Sequence, residues 1–266
     1  MIAAGLASCL WPARVYGVDP SRSVFQYNCR TWTRQAGLPD NAIRDLAQTQ
    51  DGYLWLGMQM GLVRFDGIKF ESINVPGPPA FRRGVITRLA ASANGRLWFG
   101  LEGGAFGSYD GTEFHAMTQL PWVEPAMGIS ALLESQDGWL WVGGGNGAGR
   151  CRGDTTNGSA FFPQMDRVAA LCEDARHRIW LGTPDRGLFY WQAGQITPFP
   201  DPSLMKKAIF AVAIDLHDQI WVGTQAGVHC YDSNFVRHDL VQTTTDVKAL
   251  LVDRHGAVWI GTAGDA

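Results

Sequence analysis

Residues 43–73 read I-R-D-L-A-Q-T-Q-D-G-Y-L-W-L-G-M-Q-M-G-L-V-R-F-D-G-I-K-F-E-S-I, and the pattern recurs along the chain. Its centre is Trp55-Leu56-Gly57. The same Trp-apolar-Gly triplet returns at Trp98-Phe99-Gly100, Trp141-Val142-Gly143, Trp180-Leu181-Gly182, Trp221-Val222-Gly223 and Trp259-Ile260-Gly261. The numbering of these tryptophans shows a nearly constant interval. A strand-rich repeat of about 40 residues predicts an all-β fold of four-stranded antiparallel β-propeller blades.

Counting back from each tryptophan places further apolar positions. Twelve residues before it stand Ile43, Ile86, Ile129, Val168, Ile209 and Val247; nine before it stand Leu46, Leu89, Leu132, Leu171, Val212 and Leu250. Alanines such as Ala47, Ala90, Ala131 and Ala170 cluster beside them, which marks the innermost strand, crowded near the axis. Turn signals follow: Asp51-Gly52, Asn94-Gly95 and Asp137-Gly138, then Arg176-His177, His217-Asp218 and His255-Gly256. Asp-Gly and Asn-Gly suit hairpins because the turn needs positive φ. The second strand carries the tryptophan, the third opens on a glycine such as Gly61, and Asp66-Gly67, Asp110-Gly111, Arg152-Gly153 or Asp232-Ser233 turn into the fourth.

About five and a half blades are predicted, within 18–266, as part of a seven-bladed ring. The sixth unit stops after its tryptophan strand, and Val24–Thr33 reads as a lone outer strand that would latch such a ring; the chain is expected to be a fragment of a longer product. Residues 1–17 are apolar and rich in small side chains, and end on Val15-Tyr16-Gly17, which resembles a signal-peptide cleavage site. The basic n-region is missing, so the true start of the signal is open. Leu6-Ala7-Ser8-Cys9 also looks like a lipobox with Cys9 as the acylated residue. Export without lipidation ranks above lipidation, and an ordinary N-terminal extension stays open beside both.

A net charge of −3 and a pI of about 6.0, with no basic stripe, give nucleic-acid binding no support. No apolar run approaches the roughly 20 residues of a membrane span. Cys9, Cys29, Cys151, Cys172 and Cys230 have no metal-knuckle spacing. They read as small buried hydrophobes, with Cys151 and Cys230 in the same slot of two non-adjacent units.

The run Gly37-Leu38-Pro39-Asp40-Asn41-Ala42-Ile43, then Gln50 to Gly57 and Gly61 to Gly67, closely resembles the two-component-regulator propeller repeat. Asp19 to Ser23 and Trp32-Thr33 also look like that family's mature N-terminus. The likeness weakens at Gly144 to Ala148 and at Trp191 to Gly194. The resemblance implies a periplasmic, ligand-sensing ectodomain of an inner-membrane protein. The implied partners are a small molecule or oligosaccharide, a second propeller and an immunoglobulin-like module, and a homodimer of the full-length receptor. The implied output, outside this chain, is a histidine kinase or diguanylate cyclase.

Loops between second and third strands share a face with the links between blades, and the links vary in length. Binding residues concentrate in such loops. The candidate surface is Met58 to Met60, Pro76 to Arg83, Leu120 to Met127, Thr183 to Arg186 and Pro200 to Lys207. Within it Phe81 and Trp122 are candidates to stack on a sugar, and Arg82, Arg83, Arg186, Lys206 and Lys207 to bind an anion. The plainer reading of each is a solvated loop residue. His177, His217 and His255 recur once per repeat, but fall in first hairpin turns, away from the axis. Asp66, Asp110 and Asp232 occupy turns where Asp bonds its own backbone. No catalytic set, metal site or cofactor is expected, and no Gly-x-Ser-x-Gly, HExxH or phosphate-loop motif occurs. Two alternatives remain: a propeller lyase of the streptogramin or polysaccharide type, for which His115 and His238 are the unplaced histidines, and a protein-interaction scaffold.

Overall fold

The computed structural model describes residues 30–263 apart from 83, 118, 119, 121, 153, 154, 164 and 239–244. The chain divides into Met1–Thr31 and Trp32–Ala266; of the first unit only Arg30 and Thr31 are described. The export signal expected at 1–17, Cys9, Cys29 and most of the expected outer strand Val24–Thr33 therefore lie outside the described residues, and residues 30–33 are not strand.

The second unit is a row of antiparallel sheets in chain order. The first holds β1 (Ile43–Gln48), β2 (Leu54–Met58), β3 (Gly61–Phe65) and β4 (Phe70–Ile73). After helix α1 (Pro79–Arg82) comes the second: β5 (Ile86–Ala91), β6 (Leu97–Leu101), β7 (Phe106–Tyr109) and β8 (Phe114–Met117). The third holds β9 (Ala131–Glu134), β10 (Trp139–Gly144), β11 (Gly147–Arg152) and β12 (Thr155–Phe162). The fourth holds β13 (Ala170–Glu173), β14 (Ile179–Thr183), β15 (Gly187–Gln192) and β16 (Gln195–Pro198). The fifth holds β17 (Ile209–Ile214), β18 (Ile220–Thr224), β19 (Gly227–Tyr231) and β20 (Arg237–His238); β21 (Val247–Val252) and β22 (Val258–Thr262) pair as the sixth. Among the described residues, five four-stranded blades and a two-stranded one match the predicted five and a half. First strands touch first strands, β1 on β5 through to β17 on β21, so the inner edges line the axis as the alanines implied.

The core is distributed between blades. One cluster joins Trp55 and Leu62 of the first blade to Ile86, Leu89 and Phe99 of the second. Another joins Trp180 and Leu188 of the fourth to Ile209, Val212 and Ile220 of the fifth. Trp55, Trp98, Trp141 and Trp180 are each at most 2% exposed, as expected of wedges. The third residue of the triplet is glycine because the next blade enters there. A Cβ on Gly57 would lie 2.7 Å from Ile86 Cγ2, on Gly100 2.9 Å from Ile129, on Gly182 2.8 Å from Ile209 and on Gly223 2.8 Å from Val247. Each of these branched residues is the one twelve before the next tryptophan.

The first turn is built alike in all six units. The N–H six before the tryptophan donates to the carbonyl two before it, as in Thr49 to Tyr53 and Asp174 to Arg178, both 3.1 Å. The residue three before it has positive φ: Gly52, Gly95, Gly138, His177, Asp218 and Gly256. Asp174, Asp215 and Asp253 accept from the indole N–H of Trp180, Trp221 and Trp259 at 2.8, 2.9 and 3.0 Å. Thr49 does the same for Trp55 at 2.9 Å. A short polar side chain thus ties each of these wedges to its own turn.

Cys151 and Cys230 are buried free thiols and Cys172 is a half-buried one, as expected of small hydrophobes. The shared slot is corrected: Cys151 pairs across from Leu140, whereas Cys230 pairs across from Trp221, one residue out of register. The two thiols therefore face opposite sides of their blades.

Candidate functional site

Among the described residues the link face carries a groove built from the fourth blade and its exit. It holds about 400 Å³ and is lined by Asp185 and Arg186 on the β14–β15 loop, Leu188 and Phe189 on β15, Pro198 and Phe199, and Leu204 to Lys206 on the link. Thr183 closes the loop from inside: its buried hydroxyl donates to the Gly187 carbonyl at 2.8 Å and accepts the Arg186 N–H at 3.1 Å. Gly187 has φ +91°, and a Cβ there would lie 2.3 Å from the Leu204 carbonyl oxygen. Glycine thus lets the link lie directly on the loop.

The link itself is pinned. Leu204 and Phe199 are buried, and Phe199 meets Tyr231 at 4.8 Å and Phe235 at 5.1 Å. Asp201 caps the short turn Pro202–Leu204 by accepting the Ser203 N–H at 2.7 Å, and accepts the Tyr231 hydroxyl at 2.7 Å. Burial pushes the Asp201 carboxyl up, but the Tyr231 and Ser203 bonds together hold it below the usual range. Burial, then the bond to Asp201, raises the Tyr231 phenol. Beyond this anchor Met205 and Lys206 are exposed, and Lys206 takes a left-handed φ of 58°. Arg186 Nε lies 3.9 Å from Asp166 Oδ2, both side chains being exposed, so that pair contributes little.

The expected site residues are therefore divided. Arg186 and Lys206 come together on the groove, and Lys207 is exposed beside it. Arg82 is exposed at the end of α1, apart from them, and Arg83 lies outside the described residues. Phe81 and Trp122 correct the sugar-stacking reading, being 5% and 6% exposed. Phe81 packs edge-on to Phe99 at 6.2 Å. Trp122 lies on bare backbone at Gly149, where a Cβ would meet its ring at 2.3 Å, and stacks on Phe161 at 6.1 Å. Neither ring presents a free face. Leu188, Phe189 and Phe199 escape a reading of the sequence because their alternation matches blade core; only their position beside a link of variable length marks them.

The histidines fall where the repeat placed them. His177, His217 and His255 lie in first turns, and His177 Nδ1 meets Glu173 at 2.9 Å. His115 is on β8 and His238 on β20, outer strands, facing Asp110 at 3.0 Å and Asp232 at 3.8 Å. Asp66, Asp110 and Asp232 accept backbone N–H groups two to four residues on. Among the described residues no three His, Cys, Asp or Glu converge as metal ligands, and no helix is long and apolar enough to cross a membrane.

Comparison with known proteins places this architecture. A family model described as two component regulator propeller matches residues 37–59. Among solved structures, the extracellular domain of a protein titled as a hybrid two component system from B. thetaiotaomicron superposes with a TM-score of 0.67 at 17% identity, covering 88% of this chain and 34% of that one. A virginiamycin B lyase variant from Staphylococcus aureus superposes with a TM-score of 0.69 at 14% identity, covering 82% and 77%. PorZ, a surface component of the type-IX secretion system of Porphyromonas gingivalis, gives 0.64 at 17% identity, covering 83% and 38%. The chain thus spans about a third of the extracellular domain it resembles. Curated proteins give no sequence match. These likenesses show a propeller fold. Residues 37–59 thus match the two component regulator propeller repeat, and a similar Trp-apolar-Gly pattern recurs in six units of the chain.

Proposed function

We propose that the chain is the extracytoplasmic, non-catalytic input domain of a bacterial transmembrane signalling protein, and that it binds an oligosaccharide or another small ligand in the fourth-blade groove. The observation that carries this reading is the groove's make-up. Arg186, Lys206 and Asp185 line it together with the apolar Leu188 and Phe199. A concave, mostly apolar pocket with a few polar groups is the usual form of a small-ligand site. Sugar hydroxyls would bond the charged wall, and C–H faces would lie on Met205 and Phe189. The repeat family and the sensor ectodomains of like fold support the setting.

Calorimetry against a panel of neutral and acidic oligosaccharides tests it. One or more should bind, and Arg186→Gln with Lys206→Gln should abolish that binding. A panel that gives no heat, with the protein folded, leaves the scaffold reading. The lyase reading draws on the 77% coverage of the virginiamycin B lyase. It predicts turnover of a streptogramin or polysaccharide that is lost on changing His115 or His238. Their places on outer strands, against turn aspartates, give it no support.

A further inference from the structure

The link side of the groove contains a turn that its own sequence does not suit. The Lys207 N–H donates to the Leu204 carbonyl at 3.2 Å, closing Leu204-Met205-Lys206-Lys207 into a β-turn. Met205 has φ −63° and ψ 131°, and Lys206 has φ 58°. Those conformations are those of a type II turn, whose third residue is ordinarily glycine or asparagine because its φ is positive. Lysine there carries the cost of a left-handed backbone. Among the described residues four other non-glycine residues have positive φ: His177, Ala193, Asp218 and Phe235. All four lie in hairpin turns that the blades require. Of the five, Lys206 alone stands in a link between blades, where length and sequence are free to vary. Backbone strain of this kind gathers at ligand clamps and other working sites.

The strained residue is also one that the protein leaves unengaged. Lys206 is exposed, and among the described residues no hydrogen bond or ion pair holds its ammonium group. It lines the groove with Arg186, and Asp185 is the single acid of the lining. The groove is thus net positive, on a chain of net charge −3. The rest of the lining is apolar. Phe189 and Pro198 stand opposite each other in the β15–β16 pair, so their side chains share one face of the blade. Met205, exposed, precedes the lysine in the turn. An anionic group finds charged donors here. A ligand polar on every side would lose water against the apolar patch without hydrogen bonds in return.

We propose that Lys206 is kept in this turn to bind the carboxylate of a small cyclic acid, together with Arg186, while the ring of the ligand lies on Phe189, Pro198 and Met205. The inference rests on the reading of the groove as a small-ligand site and narrows it to acids. A uronic acid of an acidic oligosaccharide and an aromatic acid share this chemistry. NMR titration of the whole chain with D-glucuronate and phenylacetate tests it, with D-glucuronamide and phenylacetamide as the uncharged counterparts and acetate as the carboxylate without a ring. At least one ring acid should bind more tightly than acetate, and about tenfold or more tighter than its own amide, the difference expected for a hydrogen bond to a charged group. Lys206→Asn should remove that preference, because asparagine accepts positive φ and keeps the turn without the charge. Lys206→Arg, which restores the charge and the donors, should keep it. Urea unfolding should put the Lys206→Asn midpoint at or above the parent's, since the strained residue is relieved. Affinity lost without stability lost separates a binding residue from a structural one. Tighter glucuronate assigns an acidic sugar and tighter phenylacetate an aromatic acid; either supports the inference. Equal binding of acid and amide, binding no tighter than acetate, a preference that survives Lys206→Asn, or a lowered midpoint for that variant overturns it. Glucuronamide bound as tightly as glucuronate overturns the acid assignment while leaving the groove a sugar site. If none of the five probes binds, the inference falls, and the oligosaccharide panel decides the sensing role separately.

Discussion

Gly100→Ala isolates the joint that holds one blade to the next. The added methyl would sit 2.9 Å from both Cβ and Cγ2 of Ile129 and 3.3 Å from its Cδ1. Carbon atoms pack at about 3.5–4.0 Å, so the methyl is roughly half an ångström too close. A rotamer change could swing Cγ2 aside. It cannot move Cβ, which is fixed to the β9 side of the joint. The blades must part, and overpacking of this kind costs about 1–3 kcal/mol. Alanine also restricts the unfolded chain, which offsets about 0.4–1 kcal/mol where the backbone permits it. The expected net loss is about 1–2 kcal/mol.

A double-mutant cycle separates this joint from a general dislike of alanine. Ile129 is 2% exposed, so Ile129→Ala alone should cost about 2–5 kcal/mol through the cavity it leaves. With Gly100→Ala present, the new methyl fills part of that cavity, and the pair should be less destabilised than the sum by about 0.5–3 kcal/mol. Gly261→Ala is the control. Its nearest neighbour is Ala249 of its own blade at 3.3 Å, and nothing of another blade is within reach among the described residues. It should stay within about 0.5 kcal/mol of the parent. Urea unfolding followed by tryptophan fluorescence gives the three midpoints, compared at constant m. An unchanged midpoint for Gly100→Ala, or strict additivity in the cycle, would refute the knob-and-socket joint.

Asp174→Ala should cost about 3–5 kcal/mol, because it strands the buried Arg178, whose Nε is 2.6 Å from Asp174 and whose guanidinium lies among Trp180, Tyr190 and Phe235. Asp215→Ala, which removes the matching indole bond without a buried arginine, should cost about 1–2 kcal/mol; equal midpoints for the two variants would show that the ion pair is not the difference. NMR titration should place the His177 midpoint above 6.5, chiefly through its bond to Glu173, and Glu173→Gln should lower it. Since the folded value is the raised one, any stability from that bond is full below pH 6.5 and is lost as pH rises through the folded midpoint. Site-resolved mass spectrometry after alkylation at pH 8 should find Cys151 and Cys230 unmodified, since burial pushes each thiol up to about 11, and Cys172 likewise, raised by burial and by Asp174 and Glu173. Rapid modification of the native protein at any of the three would contradict that placement.

The blades are legible because their signal is periodic. Six repeats of Trp-x-Gly, with branched residues at fixed offsets, over-determine strand order and the wedge role of tryptophan. The site is less legible because its parts are irregular. Arg186 is marked by its β14–β15 loop and Lys206 by its link, and both line the groove. Phe81 and Trp122 mislead because an aromatic on a loop looks available until its seat is known. Trp122's seat is Gly149, on a strand of the following hairpin, where no side chain stands in the way.

The triplet's two conspicuous residues point in different directions. In most blades the indole N–H turns back to the polar side chain six residues earlier and fixes its own hairpin. The glycine faces forward and receives the next blade's branched residue. One residue therefore completes a blade, and the other encodes its neighbour. It follows that a blade buries its socket only by stacking, and that stability accrues junction by junction, as in other repeat arrays. Ile86, Ile129, Val168, Ile209 and Val247, the knobs at these joints, are each at most 2% exposed, which puts much of the buried apolar surface in the joints between sheets.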